Sequence, residues 1–271
     1  MLSGAPGISG GAPSLTEIIR LSVSPLLLLS EQSVLPVFIR IFLYRYIDRS
    51  SMSVFPSPMT AADVVVEAKE VAYQGFFRME KLTLRHKRFN GEWMGPFTRE
   101  LFERGQAVCV LLFDPKKDAV VLLEQFRVGA LEDERSPWLI ELVAGMVEEG
   151  ETPEDVALRE SEEEAGTVPT RLIPVCNYWV SPGGTSEKVA IFCGLIDSEG
   201  MGGLHGLDDE HEDIRAFVVP FDDAYRGVAD GTINNAATIM ALQWLKINHA
   251  SVVISDSADN GADQENSHAP C

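Results

Sequence analysis

The stretch from Gly145 to Gly166 leaves the chain least freedom. Thr152, then Pro153, Glu154 and Asp155, predicts a helix start, with Thr152 as N-cap and Pro153 at the first helical position. The helix should run to about Ala165 and stop at Gly166, which suits a left-handed C-terminal turn. Glu160 and Glu164 are four residues apart and Glu160 and Glu163 three, so the carboxylates share one helix face. Like charges so placed cost an isolated helix about a few tenths of a kcal/mol per pair. A hard cation between them removes that cost, and Mg²⁺ prefers carboxylate, carbonyl and water oxygens. Gly145 and Gly150 permit a loop whose carbonyls face such an ion, and Arg159, four from both Asp155 and Glu163, can clamp the acidic helix. A solvated acidic helix face has the same composition, so these residues alone leave both readings open.

Charge distribution narrows the choice. The 271 residues carry a formal net charge of −19, which argues against a nucleic-acid partner because phosphates would be repelled. That charge is local: residues 131–166 carry −11 and 205–213 carry −5, whereas 1–60 sum to +1 and the tail 251–271 to −4. The remaining residues balance. Cys109, Cys176, Cys193 and Cys271 form no CxxC pair, so neither a zinc site nor a disulfide scaffold is indicated, and a reducing cytoplasm fits. An apolar content of 45% is ample for a packed core in one or two domains.

Residues 1–60 read as a leader, either disordered or a misassigned start with translation beginning at Met52 or Met59. The apolar stretch from Leu21 to Tyr44 is interrupted by Pro25, Glu31, Pro36 and Arg40, which argues against a membrane span. Arg20, preceded by Glu17, gives a poor signal-peptide start. Strands are expected at Val64–Tyr73 and Phe76–Phe89, with Asn90-Gly91 as a hairpin turn, then at Ala107–Phe113, Ala119–Phe126 and Trp138–Val143. After the acidic helix come strands near Leu172–Val180, Lys188–Ile196 and Ile214–Val219, then helices near Phe221–Ala229 and Asn235–Asn248. The acidic tail 251–271 is expected to be disordered.

The spacing in the acidic helix is itself specific. Gly, five residues, Glu, seven residues, Arg-Glu, two residues, Glu-Glu, one residue, Gly resembles the signature of the Nudix hydrolases, with Gly145, Glu151, Arg159, Glu160, Glu163, Glu164 and Gly166 at the fixed positions. Ser161 and Thr167 depart from two apolar slots, and both are small enough to pack. Over roughly 63–249 the likeness extends to Tyr73–Phe77, Phe102–Gly105, Glu124–Arg127, Ser181–Glu187 and Asp209–Arg215, which resemble the bacterial ADP-ribose pyrophosphatases of that family. Pro182, sixteen residues after Gly166, is typical of this ADP-sugar branch.

The resemblance implies an α+β fold, the Nudix α/β/α sandwich over 106–250, with an N-terminal antiparallel β subdomain at 61–105 through which two chains exchange strands as a homodimer. It implies hydrolysis of ADP-ribose to AMP and ribose 5-phosphate with two or three Mg²⁺ (or Mn²⁺) ions. Glu160, Glu164, the Ala144 carbonyl and Glu212 are then metal ligands and Glu210 is the catalytic base. Glu163 is either a further ligand or Arg159's partner, while Gly145, Glu151, Arg159 and Gly166 shape the motif. On the substrate side the resemblance places Phe76, Phe77, Arg99, Glu100, Arg104, Arg127, Met146, Ser181, Pro182, Gly183 and Glu187. Two other readings remain: a broader hydrolase of ADP-sugars such as ADP-glucose, and a non-hydrolysing ADP-ribose sensor. Sensors of that kind usually lose motif glutamates and carry a DNA-binding appendage; here the glutamates are intact.

Overall fold

The computed structural model describes residues 59–207 and 211–266, with backbone alone for 255 and 257–266. The leader expected over 1–60 lies outside the described residues except for Met59 and Thr60, as do Asp208, Asp209, Glu210 and residues 267–271. Strands β1 (Val64–Gln74), β2 (Arg78–Lys87) and β3 (Trp93–Glu103) form a three-stranded antiparallel sheet. The turn at Asn90-Gly91 lies where expected: Gly91 takes φ +88° and the Asn90 side chain accepts from the Glu92 N–H at 3.0 Å. The second expected strand starts only at Arg78, because Gly75 to Phe77 form a turn closed by a Gly75 N–H to Phe77 carbonyl bond.

The larger, eight-stranded sheet is built around β4 (Gln106–Asp114) and β9 (Lys188–Leu195), which run parallel. Its other members are β5 (Ala119–Phe126), β6 (Trp138–Glu141), β7 (Val143–Met146), β8 (Arg171–Trp179), β10 (Gly203–His205) and β11 (Ile214–Pro220). The order is β10-β11-β5-β4-β9-β8, with β6 on β5 and β7 on β4. The strand expected at Trp138–Val143 is therefore two. The chain leaves β5 at Glu141, buries Leu142 and rejoins the sheet against β4 at Val143.

Helices cover both faces. Val108 to Phe113 are all buried, the continuous apolar run of a strand packed on two sides. Val108, Val110 and Leu112 meet Val156, Ala157 and Ala165 of α1 (Pro153–Ala165). Cys109, Leu111 and Phe113 meet Phe221 of α2 (Phe221–Asp230) and Leu242 and Leu245 of α3 (Ala236–Asn266). This is the α+β sandwich expected, with the antiparallel N-terminal sheet beside it. Helix α3 corrects one expectation: it continues past Asn248 through Asn266, so 251–266 is helical. Val252, in the first turn of this extension, is buried in the same core. Among the described residues no helix is long and apolar enough to cross a membrane.

Helix α1 begins and ends where its residues dictate. The Thr152 hydroxyl accepts from the Asp155 N–H at 3.2 Å, and the Asp155 carboxylate accepts from the Thr152 N–H at 3.1 Å. Gly166 closes the helix at φ +67°. The unusual Ser161 is fully buried and satisfied, donating to the Ala157 carbonyl at 2.6 Å. Thr152→Ala, which removes the cap, should cost about 1 kcal/mol. Urea unfolding checks this as a lower midpoint with an unchanged slope.

Candidate active site

Two backbone features place the helix carboxylates. Glu164 is 2% exposed, and one oxygen accepts from the Ala144 N–H of β7 at 2.8 Å. Strand β7 pairs with β4 alone, so its outward amides need partners elsewhere, and Glu164 supplies one. Glu160 lies directly over Gly145: a Cβ there would stand 1.9 Å from its carboxylate oxygen. Only glycine fits that approach.

Arg159 organises the surrounding acids. Its guanidinium donates to Glu151 at 3.1 Å, to Glu160 at 2.7 Å and to Glu163 at 3.1 Å. Asp155, also four residues from Arg159, is engaged in the capping box instead. Arg159 holds the Glu151 carboxyl below its ordinary range, whereas burial pushes Glu160 up to about 7 and Glu164 up to about 8. The Glu212 charge raises both further, so the second acidic segment faces the same place, and Glu212 is half-buried there. Glu210 lies outside the described residues. Among those described, no group of three or more His, Cys, Asp and Glu is drawn tightly enough to hold an ion.

A second cluster forms where β3 meets the 181–187 loop. The Phe102 N–H donates to the Gly184 carbonyl at 2.8 Å, and the Ser186 N–H returns a bond to the Phe102 carbonyl at 3.0 Å. Ser181 opens the loop, accepting from the Gly184 and Thr185 amides, with Pro182 and Gly183 exposed at its tip. Arg104 donates to Glu187 at 2.9 Å and lies 4.4 Å over the Phe77 ring. Phe77 in turn meets Phe102 edge-on at 5.3 Å and Phe76 at 4.8 Å, and Phe76 is 87% exposed. Arg99 and Glu100 are exposed on β3, where Arg99 donates to the Thr98 carbonyl and stacks on Phe97.

Sequence reasoning missed Glu141 and Cys109. Glu141 ends β6 and accepts from Arg127 at 2.7 Å. A lone acid closing the apolar run Trp138–Ile140 was the available signal. Cys109, opposite Ala144, is pushed up to about 12 by burial and then by the charges of Glu141 and Glu164. The charges of Arg127 and Glu187 also act on the same thiol, Arg127 lowering it and Glu187 raising it. Tyr178, Val189, Ala107 and Met146 form a cross-strand row on the same sheet. A cavity of about 540 Å³ beside β10 and β11, lined by Glu124, Ile140, Leu204, Arg215 and Phe217 among others, contains none of these site residues.

Residues 103–242 match the model of the NUDIX domain. Over 190 residues the chain is 49% identical to the ADP-ribose pyrophosphatase of Escherichia coli strain K12, covering 70% of this chain and 91% of that protein. The ADP-ribose pyrophosphatase of Haemophilus influenzae is 46% identical over 193 residues, covering 70% of this chain and 89% of its own. A GDP-mannose pyrophosphatase of Escherichia coli O1:K1 is 31% identical over 193 residues, again across 70% of this chain and 98% of that protein. A crystal structure of an ADP compounds hydrolase shares the fold, with a TM-score of 0.52 at 21% identity over 68% of this chain and 95% of that one. With the motif helix, its carboxylates and this breadth of likeness together, the chain belongs to the Nudix family.

Proposed function

We propose that the chain hydrolyses the diphosphate of ADP-ribose to AMP and ribose 5-phosphate in the presence of Mg²⁺ or Mn²⁺. The observation that carries this reading is the pair Glu160 and Glu164, carboxylates inside the protein on the helix face that Gly145 and Ala144 create. Burial and then neighbouring carboxylates raise both pKa values, and hard oxygen donors suit a hard divalent cation. Glu160, Glu164, the Ala144 carbonyl and Glu212 would hold it, with Glu163 free to serve either the ion or Arg159. Two or three such ions, when bound, neutralise phosphate oxygens and acidify water.

The protein's own groups do the rest. Glu210 accepts a proton from the attacking water as its oxygen bonds to phosphorus and the anhydride bond breaks. Arg104 and Arg127 take substrate oxygens; the Arg104 Nε is a buried donor lacking a partner, as an anion-binding guanidinium would be. Phe76 and Phe77 offer aromatic faces to adenine, and Arg99, Glu100, Met146, Ser181, Pro182, Gly183 and Glu187 complete the substrate side. The enzyme works in the cytoplasm, in keeping with the free thiols Cys109, Cys176 and Cys193. It is a homodimer that exchanges N-terminal strands, a reading supported by exposed Val64, Val66, Val71 and Tyr73 on β1.

The test is AMP release from ADP-ribose, ADP-glucose, GDP-mannose and nucleoside triphosphates with Mg²⁺. ADP-ribose should be turned over best; no release from any ADP-sugar rejects the reading. Glu164→Gln should remain folded and lose more than about 100-fold in turnover, beyond the usual effect of disturbing a ligand's support. The raised carboxyls also set a pH dependence. Their unfolded value is 4.5, so between 4.5 and about 8 the folded, metal-free chain holds protons that the unfolded chain has released. Stability of the metal-free chain therefore falls as pH rises through that window. Its melting temperature should be lower at about pH 8.5 than at about pH 6, and Mg²⁺ should restore it; a flat profile unaffected by Mg²⁺ counts against the assignment. Light scattering should give the mass of two chains, and a single-chain mass rejects the dimer.

A further inference from the structure

We propose that Gly206 is a positioning residue that sets where Glu212 stands relative to Glu160 and Glu164. The inference rests on the functional reading above and adds a residue to it. Strand β10 pairs with β11 up to His205 opposite Ile214, and the chain then leaves the sheet at Gly206 with φ +98°. The Glu212 N–H donates to the Leu207 carbonyl at 3.2 Å, closing the base of the loop.

Gly206 lies against the same base. A Cβ built on it would be 2.9 Å from the Glu212 Cβ, 2.9 Å from its carbonyl oxygen and 3.1 Å from its carbonyl carbon. These atoms are backbone and the root of a side chain, so rotating Glu212 cannot relieve the crowding. The residue as a whole would have to move.

The preceding residue faces the motif helix. A Cβ on Gly166, which closes α1, would stand 3.0 Å from the His205 ring carbon Cε1. His205 thus packs on the end of α1, two residues beyond Glu164, while Gly206 packs on Glu212. The dipeptide is a spacer of fixed thickness between the two acidic segments. A side chain at Gly206 would widen it, and displacement by about 1 Å can cost an active site about 100-fold.

The experiment compares Gly206→Ala, Gly206→Asn, Glu212→Gln and the double variant Gly206→Ala with Glu212→Gln. Turnover of ADP-ribose and Mn²⁺ affinity, the latter by paramagnetic resonance, are measured on each. Gly206→Ala should keep the native circular dichroism, lose about 10- to 100-fold in kcat and in Mn²⁺ affinity, and leave KM for ADP-ribose within about threefold. Gly206→Asn, which tolerates positive φ but still carries a Cβ, should lose as much. In the Glu212→Gln background the Gly206→Ala change should cost nothing further, because both act on one carboxylate. As a control, Gly200→Asn, at φ +72° with nothing within 4 Å of a built Cβ, should behave as the native chain.

Native kcat and Mn²⁺ affinity in Gly206→Ala, recovery in Gly206→Asn, or additive losses in the double variant would each overturn the proposal. Loss of the native fold in both Gly206 variants would also overturn it, by making Gly206 a folding residue. Failure of the native chain to release AMP rejects the functional reading instead, and the Mn²⁺ titrations still decide the role of Gly206.

Discussion

The bond from the Ala144 N–H to Glu164 does two jobs at once. It satisfies an outward amide on β7, and it fixes the last turn of α1 against the sheet. The cost is a carboxylate almost completely withdrawn from water, with one neutral donor to offset the loss of hydration. Burying Glu164 is unfavourable for folding alone. A cation held as proposed would share its charge and link metal binding to the stability of this corner.

Arg159 plays the complementary part. It spreads one positive charge over Glu151, Glu160 and Glu163, which lets a helix with few bases form without the ion. Glu151 also accepts from the Glu148 amide, so the loop before α1 is pinned through the same guanidinium. The pairing does not neutralise Glu160, which still titrates far above an ordinary carboxyl. Desolvation over Gly145 outweighs the nearby cation. The order of strengths follows from burial: Glu151 is surface-held and readily ionised, Glu160 intermediate, Glu164 hardest to charge.

Local chemistry was legible and long-range assembly was not. The Thr152 cap, the Gly166 stop and the shared face of Glu160 and Glu164 follow from residue type and helical period, and each stands where the sequence put it. The break at Leu142 was invisible because an apolar residue between two strands reads as one strand. Glu141 as the partner of Arg127, and Cys109 opposite Ala144, depend on which strands become neighbours. No spacing within one strand encodes that. Helix α3 outran its expected end because Val252 is a weak periodic signal beside the polar residues that follow, yet its burial in the core holds the turn.

The distribution of charge makes the demand for a cation stronger than the motif alone does. The charge of Glu212, from the −5 segment, acts on Glu160 and Glu164 of the −11 segment. The arginines nearest them are committed already, Arg159 to three glutamates, Arg127 to Glu141 and Arg104 to Glu187. Each guanidinium has its acid attached and adds little net positive charge. A diphosphate held by Arg104 and Arg127 as proposed would still meet the charges of Glu160, Glu164 and Glu212. A divalent ion from solution, held as proposed, would supply the balancing charge to substrate and glutamates alike.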